Sequence, residues 1–328
     1  MCYLIIVLAV IAVLAGALFF FLDNKILYKD LKGKHVVVTG GSSGIGKAAA
    51  MEAARLGAHV TIIGRDVGKL NAAVSEISSQ AKEGQKIQHA SLDLTSDYES
   101  VQKCLSTLET DIGSIFMLIN SAGMCICGQF ETMKVQDIKK LIDLNYFGTA
   151  YPTYYVLSGM KKRNEGLIVF VSSEASLIGI YGYSAYSAGK WAVRGLAEAI
   201  FMELVGTNVR LTLAFPPDTD TPGFANEELT KPKETKLISG SAGLSSPEYV
   251  GRKIVHDSLN GKLYSVFGLS GKLMTILYCG AVESVGQVLL QIFTMGLLRA
   301  IMVPVMLSFH KIVRDGLKEK QSETLKNK

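Results

Sequence analysis

The sequence VVVTGGSSGIG, at residues 36–46, decides the fold of this chain. Residues that favour β-strands run into a glycine-rich turn, and the stretch Lys47–Leu56 then has the apolar spacing of a helix. Glycines in such a turn let backbone N–H groups approach a pyrophosphate at the positive end of the helix. Glycine-rich turns also occur without a ligand, so the rest of the sequence has to decide between the two. The stretch predicts a strand, a phosphate-binding turn and a helix.

Six further apolar runs follow this first strand, with helix-like stretches such as Lys69–Ser79 between them. Near-continuous apolar strands separated by helices are typical of a parallel sheet that helices cover on both faces. We therefore predict an α/β fold, a Rossmann-type doubly wound parallel sheet, in one domain over residues 33–270. The predicted strands are His35–Thr39, His59–Ile63, Ile87–Leu92, Ile115–Ile119, Leu167–Val171, Val209–Ala214 and Leu263–Phe267.

A tyrosine and a lysine four residues apart supply the candidate chemistry. Tyr186 and Lys190 lie in YSAYSAGK, at residues 183–190, and would share one face of a helix. An ammonium group about 4 Å from a phenol lowers the pKa of that phenol from about 10 toward neutrality, which suits proton transfer. Ser173, with Ser172 as the alternative, ends the apolar run before this helix. A hydroxyl there would lie at the carboxyl edge of the sheet, where ligands of open α/β folds bind.

These motifs together resemble the short-chain dehydrogenase/reductase family. The resemblance covers about residues 33–270, and it implies a Rossmann-type fold, a nicotinamide cofactor and hydride transfer between that cofactor and a carbonyl carbon. The matching positions are Gly40, Gly44 and Gly46 for the glycine pattern, Tyr186 and Lys190 for the tyrosine and lysine, and Ser173 for the catalytic serine.

The resemblance also implies a role for each catalytic residue. Tyr186 would give its proton to the developing alkoxide, and Lys190 would lower the pKa of that phenol while it holds the nicotinamide ribose. Ser173 would hydrogen-bond the carbonyl oxygen as charge builds on it. Asn145 resembles the family's helix-kinking asparagine, which holds a water molecule linked to the lysine. The expected catalytic residues are therefore Ser173, Tyr186, Lys190 and Asn145.

Arg65 decides the expected form of the nicotinamide cofactor. Folds that bind NAD usually place a carboxylate at the end of the second strand for the ribose 2′-hydroxyl, whereas an arginine accommodates the 2′-phosphate of NADP. Arg65 occupies this position and Lys69 follows one helical turn later, although the neighbouring Asp66 favours NAD. We therefore expect NADPH.

Further cofactor contacts come from the resemblance alone. Asp93 resembles the adenine contact, Asn120 begins a motif that lines the cofactor cleft, and Thr221 aligns with the residue that contacts the nicotinamide carboxamide. In the loop before Thr221, Pro217 replaces the family's glycine and stiffens the chain. The expected cofactor-binding residues are Gly40, Ser42, Ser43, Gly44, Ile45, Gly46, Arg65, Lys69, Asp93, Asn120, Tyr186, Lys190 and Thr221.

The composition argues against nucleic-acid binding and metal chemistry. The chain has 328 residues and a net charge of +5 without a basic stripe interleaved with aromatic residues, so no nucleic-acid partner is expected. Its five cysteines are an odd and scattered set, typical of a reducing compartment. Cys125 and Cys127 are close in sequence, but no second cysteine or histidine pair at metal-binding spacing accompanies them. We expect no metal site.

Residues Tyr3–Leu22 form an apolar segment long enough to span a membrane. These twenty consecutive uncharged residues would make a helix about 30 Å long, the thickness of a hydrocarbon core. A cleaved signal peptide is the alternative, but the segment lacks a positive n-region and a clean cleavage site. Lys25, Lys29 and Lys32 follow the segment, which by the positive-inside rule puts the downstream domain in the cytosol. We predict a transmembrane anchor over residues 1–24.

The end of the chain is apolar again and then charged. Residues 271–310 are strongly apolar, broken by Glu283, Arg299 and Pro304. Because a charge at mid-membrane costs about 2.5–3.5 kcal/mol, two interpretations stay open. One is a helical hairpin that dips into or through the bilayer, and the other is interfacial helices or a dimer surface, which would make the chain a homo-oligomer. Residues 311–328 are expected to be a charged, frayed cytosolic tail.

An anchored domain with an apolar tail indicates a substrate that reaches the site from the lipid bilayer. We therefore expect a long-chain ketone lipid as the substrate. The anchor, the loop at residues 216–224 and the apolar tail resemble lipid-reducing family members of the endoplasmic reticulum membrane, which implies that location with the catalytic domain facing the cytosol. A microsomal steroid or retinoid dehydrogenase is the alternative enzyme, and a tethered scaffold without turnover is the alternative outside enzymes.

Overall fold

The structure, a computed structural model, describes residues 27–240, 243–278 and 285–326 and is built around one seven-stranded sheet. The strands are β1 (His35–Thr39), β2 (His59–Gly64), β3 (Ile87–Ser91), β4 (Ile115–Asn120), β5 (Gly166–Val171), β6 (Val209–Phe215) and β7 (Tyr264–Val266). Their order is β3-β2-β1-β4-β5-β6-β7, with each of these pairings parallel. The predicted Rossmann-type doubly wound sheet is confirmed. The predicted anchor, residues 1–24, lies outside the described residues.

Helices connect the strands and cover both faces of the sheet. A π turn at Asp143–Phe147 lies between β4 and β5, and a short 3₁₀ turn at Glu174–Ser176 follows β5. In chain order the helices are α1 (Gly44–Arg55), α2 (Val67–Ser78), α3 (Tyr98–Ile112), α4 (Val135–Ile142), α5 (Gly148–Arg163), α6 (Ser184–Glu203), α7 (Pro222–Glu228), α8 (Lys233–Ser239), α9 (Pro247–Leu259), α10 (Gly268–Leu277) and α11 (Val285–Lys326).

Alternate residues of each strand point to opposite faces of the sheet and are buried there. Val36 and Val38 of β1 pack with α1, α2 and α9, whereas Val37 packs with α3, α5 and α6. Helices α1 and α9 approach closely, since a Cβ atom at Gly251 would lie 2.6 Å from the backbone nitrogen of Ala49. Burial on both faces accounts for the near-continuous apolar strands. Polar side chains lie at the carboxyl ends of the strands, and the candidate active site is found there.

The two C-terminal helices lie alongside the sheet domain. The ring of Tyr278, just past α10, packs edge-on against Trp191 of α6 with the ring centroids 6.2 Å apart. Helix α11 packs against α10 and also reaches α8, where Lys233 Nζ and Glu319 Oε2 form an ion pair of 2.6 Å. The expectation of a frayed tail is wrong for residues 311–326, because α11 continues through them and its charged end has partners on α8.

Helix α11 is the one helix in the described part of the chain that is long and apolar enough to cross a membrane. Its most apolar window, within Gly286–Glu323, has a mean hydropathy of 1.9 and is 0% buried. Helix α10 has only ten residues, or about 15 Å, which is half of a hydrocarbon core. The described residues therefore do not supply the second long helix that a hairpin through the bilayer needs. Exposed apolar side chains of α11 include Ile292, Phe293, Leu297, Ile301 and Leu307.

Candidate active site

The two serines at the end of β5 have different surroundings. Ser172 is buried, and its Oγ donates to the backbone oxygen of Lys190 at 3.2 Å. Ser173 Oγ accepts from the backbone nitrogen of Ala175 at 3.1 Å and also hydrogen-bonds Tyr186. Ser172 therefore holds β5 to α6, whereas Ser173 shares the site with the tyrosine.

Lys190 is buried on the face of α6 that meets the end of β5. Its Nζ donates to the carbonyl oxygen of Val171 at 3.0 Å and lies 5.9 Å from the ring centroid of Tyr186. The helical spacing of four residues thus places the two side chains on one face. Burial lowers the pKa of Lys190 to about 8, because a buried ammonium group loses its hydration. The amine is still mostly charged at neutral pH.

Burial also dominates the behaviour of the Tyr186 phenol. It raises the pKa of Tyr186 well above the ordinary value of 10.0, negative charge on neighbours such as Glu227 adds to the rise, and the hydrogen bond with Ser173 lowers it. The expected lowering by Lys190 is wrong for this arrangement. The loss of hydration on burial destabilises the phenolate more than an ammonium group 5.9 Å from the ring centroid stabilises it. Tyr186 therefore keeps its proton at neutral pH and is suited to donating it.

Asn145 lies in the π turn between α4 and α5 and is fully buried. Its Oδ1 accepts from the Met124 nitrogen and its Nδ2 donates to the Met124 oxygen, both at 3.0 Å. A Cβ atom at Gly123 would lie 2.9 Å from Asn145 Oδ1 and 3.3 Å from Lys190 Nζ. The π turn thus directs Asn145 at the loop after β4 and holds that loop beside Lys190. The water contact implied by the family resemblance stays a prediction.

The glycine turn packs closely against the neighbouring backbone because its glycines lack a Cβ atom. Gly40 has a φ of 66°, and a Cβ there would lie 2.8 Å from the backbone of Ala122. A Cβ at Gly46 would meet the carbonyl oxygen of Gly40. Ser43 is the N-cap of α1, but its side chain makes no capping hydrogen bond within the described residues. Since the first N–H groups of a helix have no intrahelical partner, the turn fits a pyrophosphate.

The carboxylate of Asp66, just after β2, accepts a hydrogen bond from the backbone. Asp66 is the N-cap of α2, and its Oδ1 accepts from the Lys69 nitrogen at 3.0 Å. Arg65 is exposed one residue earlier, and Ser42 Oγ lies 3.6 Å from the place of a Cβ on Gly64. The strand end therefore presents a cation and a hydroxyl, and the residue that favours NAD in the sequence has a structural role.

Two of the expected cofactor residues occupy different depths at the same sheet edge. Asp93 is exposed and accepts from the nitrogen of Thr95 at 3.0 Å and from its Oγ1 at 2.8 Å. Asn120 is buried, and its Nδ2 donates to Thr153 Oγ1 at 3.0 Å, which ties β4 to α5. The Oδ1 of Asn120 has no hydrogen-bond partner among the described residues. The structure thus places Asp93 at the surface of the edge and Asn120 beneath it.

Thr221 brings the loop after β6 against the glycine turn. Its Oγ1 accepts from the Phe224 nitrogen at 3.0 Å and caps α7. A Cβ atom at Gly44, whose φ is 53°, would lie 2.8 Å from Thr221 Cγ2. The residue expected at the nicotinamide therefore touches the phosphate-binding turn in this structure, and its contact with the carboxamide stays a prediction.

A buried ionic cluster near Tyr186 has no counterpart in the sequence motifs. Lys231 Nζ binds carboxylate oxygens of Glu228 at 2.7 Å and of Glu227 at 2.9 Å, and its side chain is 0% exposed. The hydroxyl of Tyr183 donates to Glu227. Most of the cluster comes from the stretch after β6, which has no motif and no regular spacing. Only the folded chain shows that these charges lie near Tyr186.

Two cysteines lie next to this cluster. Cys125 Sγ and Cys127 Sγ are 3.6 Å apart, and a carboxylate oxygen of Glu227 lies within 4.8 Å of them. Burial raises the pKa of Cys125 well above the usual range, which favours the neutral thiol. Glu227 already binds Lys231 and Tyr183. The expectation of no metal site stays a prediction.

A known sequence family matches most of the domain that holds these residues. The match is to the family described as short chain dehydrogenase, over residues 34–232. The chain belongs to this family. This short chain dehydrogenase is thus an oxidoreductase that acts on a ketone with a nicotinamide cofactor.

Curated relatives of this short chain dehydrogenase extend over nearly its whole length. The chain is 45% identical over 316 residues to a 3-dehydrosphinganine reductase of Danio rerio, with 95% of each chain covered. It is 44% identical over 293 residues to a 3-ketodihydrosphingosine reductase of Bos taurus, with 88% of each chain covered. The similarity therefore extends beyond the family domain.

Solved structures share the fold of this short chain dehydrogenase. A short-chain type dehydrogenase/reductase from Mycobacterium ulcerans superimposes with a TM-score of 0.64 at 24% identity, covering 72% of this chain and 88% of that one. Levodione reductase superimposes with a TM-score of 0.64 at 21% identity, covering 70% and 91%. At these identities the likeness concerns the fold alone.

Proposed function

We propose that this chain reduces the 3-keto group of 3-ketodihydrosphingosine (3-oxosphinganine) to sphinganine, an early reaction of sphingolipid synthesis, with NADPH as the reductant. The observation that carries the proposal is the combination of the Ser173, Tyr186 and Lys190 site with 45% identity to a curated 3-dehydrosphinganine reductase over 95% of the chain. An alignment of this extent includes the apolar segments on both sides of the domain. It therefore supports a substrate that comes from the lipid bilayer as well as the reaction itself.

In this scheme the hydroxyl groups of Ser173 and Tyr186 bind the ketone oxygen. Bound NADPH supplies a hydride to the carbonyl carbon. Tyr186 gives its proton to the oxygen as negative charge builds there, and its raised pKa keeps that proton in place until the charge appears. Ser173 stabilises the same charge with a hydrogen bond. The product alcohol then carries the phenolic proton.

Lys190 compensates the charge that proton transfer leaves on Tyr186. Its ammonium group lies 5.9 Å from the ring centroid in a buried environment, where an opposite charge stabilises a phenolate strongly. The same ammonium group is the one that would hold the nicotinamide ribose. With a pKa of about 8, it is mostly protonated at neutral pH and can perform both roles.

The end of β2 supports NADPH as the reductant. The exposed guanidinium of Arg65 can form charge-assisted hydrogen bonds with a 2′-phosphate, and the Ser42 hydroxyl lies near the same strand end. Asp66 would otherwise select the ribose 2′-hydroxyl of NAD, but its carboxylate caps α2 through the Lys69 nitrogen. The residues present therefore fit a phosphorylated ribose.

We place the chain at the endoplasmic reticulum membrane with the catalytic domain in the cytosol. The support is the exposed apolar surface of α11, with side chains such as Phe293 and Leu297, together with relatives that are sphingolipid reductases. Since α10 and α11 lie beside the domain, this surface can enter one leaflet as an interfacial helix does. The domain would then rest against the bilayer that supplies its substrate.

Replacement of the proton donor tests the proposed reaction. Tyr186→Phe keeps the ring and removes the hydroxyl, so sphinganine formation by membranes supplied with NADPH should fall about 10²- to 10⁴-fold, measured by mass spectrometry. Tyr249→Phe, at an exposed position on α9, is the matched control and should keep full turnover.

Two results would contradict the proposal. Unchanged sphinganine formation by Tyr186→Phe would remove the tyrosine from the chemistry. Turnover of a steroid or of retinal by the unmodified chain, without turnover of 3-ketodihydrosphingosine, would identify a microsomal steroid or retinoid dehydrogenase instead.

A further inference from the structure

A cavity of about 470 Å³ lies between the loop before α6, helix α8 and the second half of α11. Its volume is in the range of about 300–1,000 Å³ that is usual for sites of small organic ligands. Helix α11 contributes most of its wall. The lining residues are Gly179, Ile180, Tyr181, Ile238, Met306, Phe309, His310, Val313 and Arg314.

The inner end of this cavity adjoins the catalytic tyrosine. Ile180 lines the cavity and also packs in the small apolar cluster that contains Tyr183 and Tyr186. The loop is fixed there, because Thr235 Oγ1 donates to the carbonyl oxygen of Tyr181 at 2.7 Å. A chain of carbon atoms that leaves the reacting ketone can therefore pass from Tyr186 over Ile180 into the cavity.

The outer wall of the cavity belongs to the helix that carries the exposed apolar surface. Met306, Phe309 and Val313 are half-buried on the cavity side of α11, whereas His310 and Arg314 are exposed and lie at its rim. Earlier in the same helix, apolar side chains such as Leu297 are exposed. Apolar surface thus continues along one helix from the outside of the molecule to the cavity.

We propose that this cavity holds the alkyl chain of the long-chain ketone substrate, with Met306, Phe309 and Val313 of α11 as one wall of the binding site. The proposal rests on the proposed function, and it assigns α11 a contact with the substrate in addition to the membrane. The cavity suits an alkyl chain because its interior wall is made mostly of apolar side chains, while His310 and Arg314 are exposed at the rim. The ketone would remain between Ser173 and Tyr186.

Substrates of different chain length test this assignment in the full-length protein. Each methylene group that is buried should strengthen binding roughly fourfold, so kcat/KM of the unmodified chain should rise steeply from a short-chain 2-amino-3-ketone to 3-ketodihydrosphingosine. Val313→Trp fills the cavity and should raise KM for the long-chain substrate at least tenfold. The kcat of that variant, and its KM for the short-chain analogue, should stay within about twofold. Leu307→Trp, exposed on the same helix and outside the lining, is the matched control and should behave like the unmodified chain.

Two kinetic results would overturn the assignment. One is an equal loss by Val313→Trp on short and long substrates, which would indicate general damage to the site. The other is a chain-length dependence in Val313→Trp that equals that of the unmodified chain. If the unmodified chain reduces neither substrate, the proposed function fails, and a binding measurement then decides on the cavity.

Photolabelling supplies that binding measurement without turnover. A long-chain 2-amino-3-ketone with a diazirine near the end of its alkyl chain should label the peptide that contains residues 306–314. Excess unlabelled lipid should prevent the labelling, Val313→Trp should reduce it at least tenfold, and Leu307→Trp should not change it. Labelling confined to other parts of the chain would refute the cavity as the site of the alkyl chain.

Discussion

Tyr186 and Lys190 lie on one face of α6, and burial moves both pKa values in the direction that disfavours charge. It raises the pKa of the phenol and lowers that of the amine to about 8. A phenol that holds its proton at neutral pH can give it up only to a stronger base, and the alkoxide that forms on hydride transfer is such a base. The local chemistry therefore fits reduction of a ketone, with Lys190 stabilising the phenolate after the proton has moved.

Removal of the Arg65 guanidinium should weaken the binding of NADPH much more than the binding of NADH. Arg65→Ala loses charge-assisted hydrogen bonds to a 2′-phosphate, so KM for NADPH should rise about 10- to 100-fold, while KM for NADH should change less than about twofold. Steady-state kinetics with each dinucleotide give both values. Arg252→Ala removes an exposed arginine on α9 and serves as the control. Equal effects of Arg65→Ala on both dinucleotides would contradict the phosphate contact.

Glu174 makes folding stability depend on pH. Burial, and then the charge of Asp218, raises the pKa of Glu174 from 4.5 to about 7. The folded state therefore binds more protons than the unfolded state between these values, and the contribution to stability is lost as pH rises through about 7. Glu174→Gln should raise the free energy of unfolding at pH 8 by about 1–3 kcal/mol, with little effect near pH 4.5.

Denaturant unfolding at the two pH values measures the effect of Glu174→Gln. The exposed Glu83→Gln variant removes a carboxylate elsewhere and should show no such difference between the two pH values. A gain in stability of equal size at both pH values would show that ionisation of Glu174 is not the cause.

Helix α6 contains two glycines with opposite surroundings. A Cβ atom at Gly189 would lie 3.3 Å from the Cβ of Asn145, whereas a Cβ at Gly195 would meet nothing within 4 Å among the described residues. Gly195→Ala should therefore stabilise the protein by about 1 kcal/mol through helix propensity. Gly189→Ala should fall short of that gain and lower kcat, because it pushes Asn145 and the loop beside Lys190. Thermal unfolding and turnover of the two variants give the comparison, and equal stabilisation with unchanged kcat in both would contradict it.

The elements of the sheet could be predicted because strands buried on both faces are apolar throughout. All seven predicted strands are present, and α1 and α2 begin two or three residues before the predicted Lys47 and Lys69. The start of α2 is set by Asp66, whose carboxylate accepts a hydrogen bond from the Lys69 nitrogen, whereas α1 begins directly at the glycine turn without a side-chain cap from Ser43 in the described part of the chain. A cap decides where a helix begins through a local geometry that apolar spacing does not record.

The candidate site could be predicted only where its residues sit in motifs. Ser173 and Tyr186 are separated by a short stretch and come together through one strand and one helix. Glu227 and Lys231 reach the same tyrosine from the connection after β6, where no period or motif marks them. The predicted pKa of the tyrosine was wrong for a related reason, since the spacing of two side chains does not state how deeply they are buried.

At the scale of the whole molecule, the contact between α8 and α11 holds the end of α11 against the domain and bears on the proposed membrane topology. The ion pair of Lys233 with Glu319, at 2.6 Å, ties the last turns of α11 to the catalytic domain. The C-terminus should therefore lie on the same side of the bilayer as the active site, as the predicted cytosolic tail at residues 311–328 requires.

Protease digestion of sealed microsomes tests this topology. An epitope tag at the C-terminus should be removed at the same protease concentration that degrades the catalytic domain, while a lumenal marker protein stays intact. Protection of the tag together with digestion of the domain would place α11 across the bilayer and exclude its contact with α8.

Gly44 and Thr221 bring two loops at the carboxyl edge of the sheet into contact. Gly44 belongs to the glycine turn, whereas Thr221 ends the loop after β6 and caps α7. Because a carbon added at Gly44 would lie 2.8 Å from Thr221 Cγ2, the two loops are closely packed, and a shift of the glycine turn toward Thr221 must displace that residue. We expect a dinucleotide bound at the glycine turn to position this loop before the ketone binds. Compulsory-order kinetics are the expected outcome, with the dinucleotide as the first substrate to bind and its oxidised form as the last product to leave.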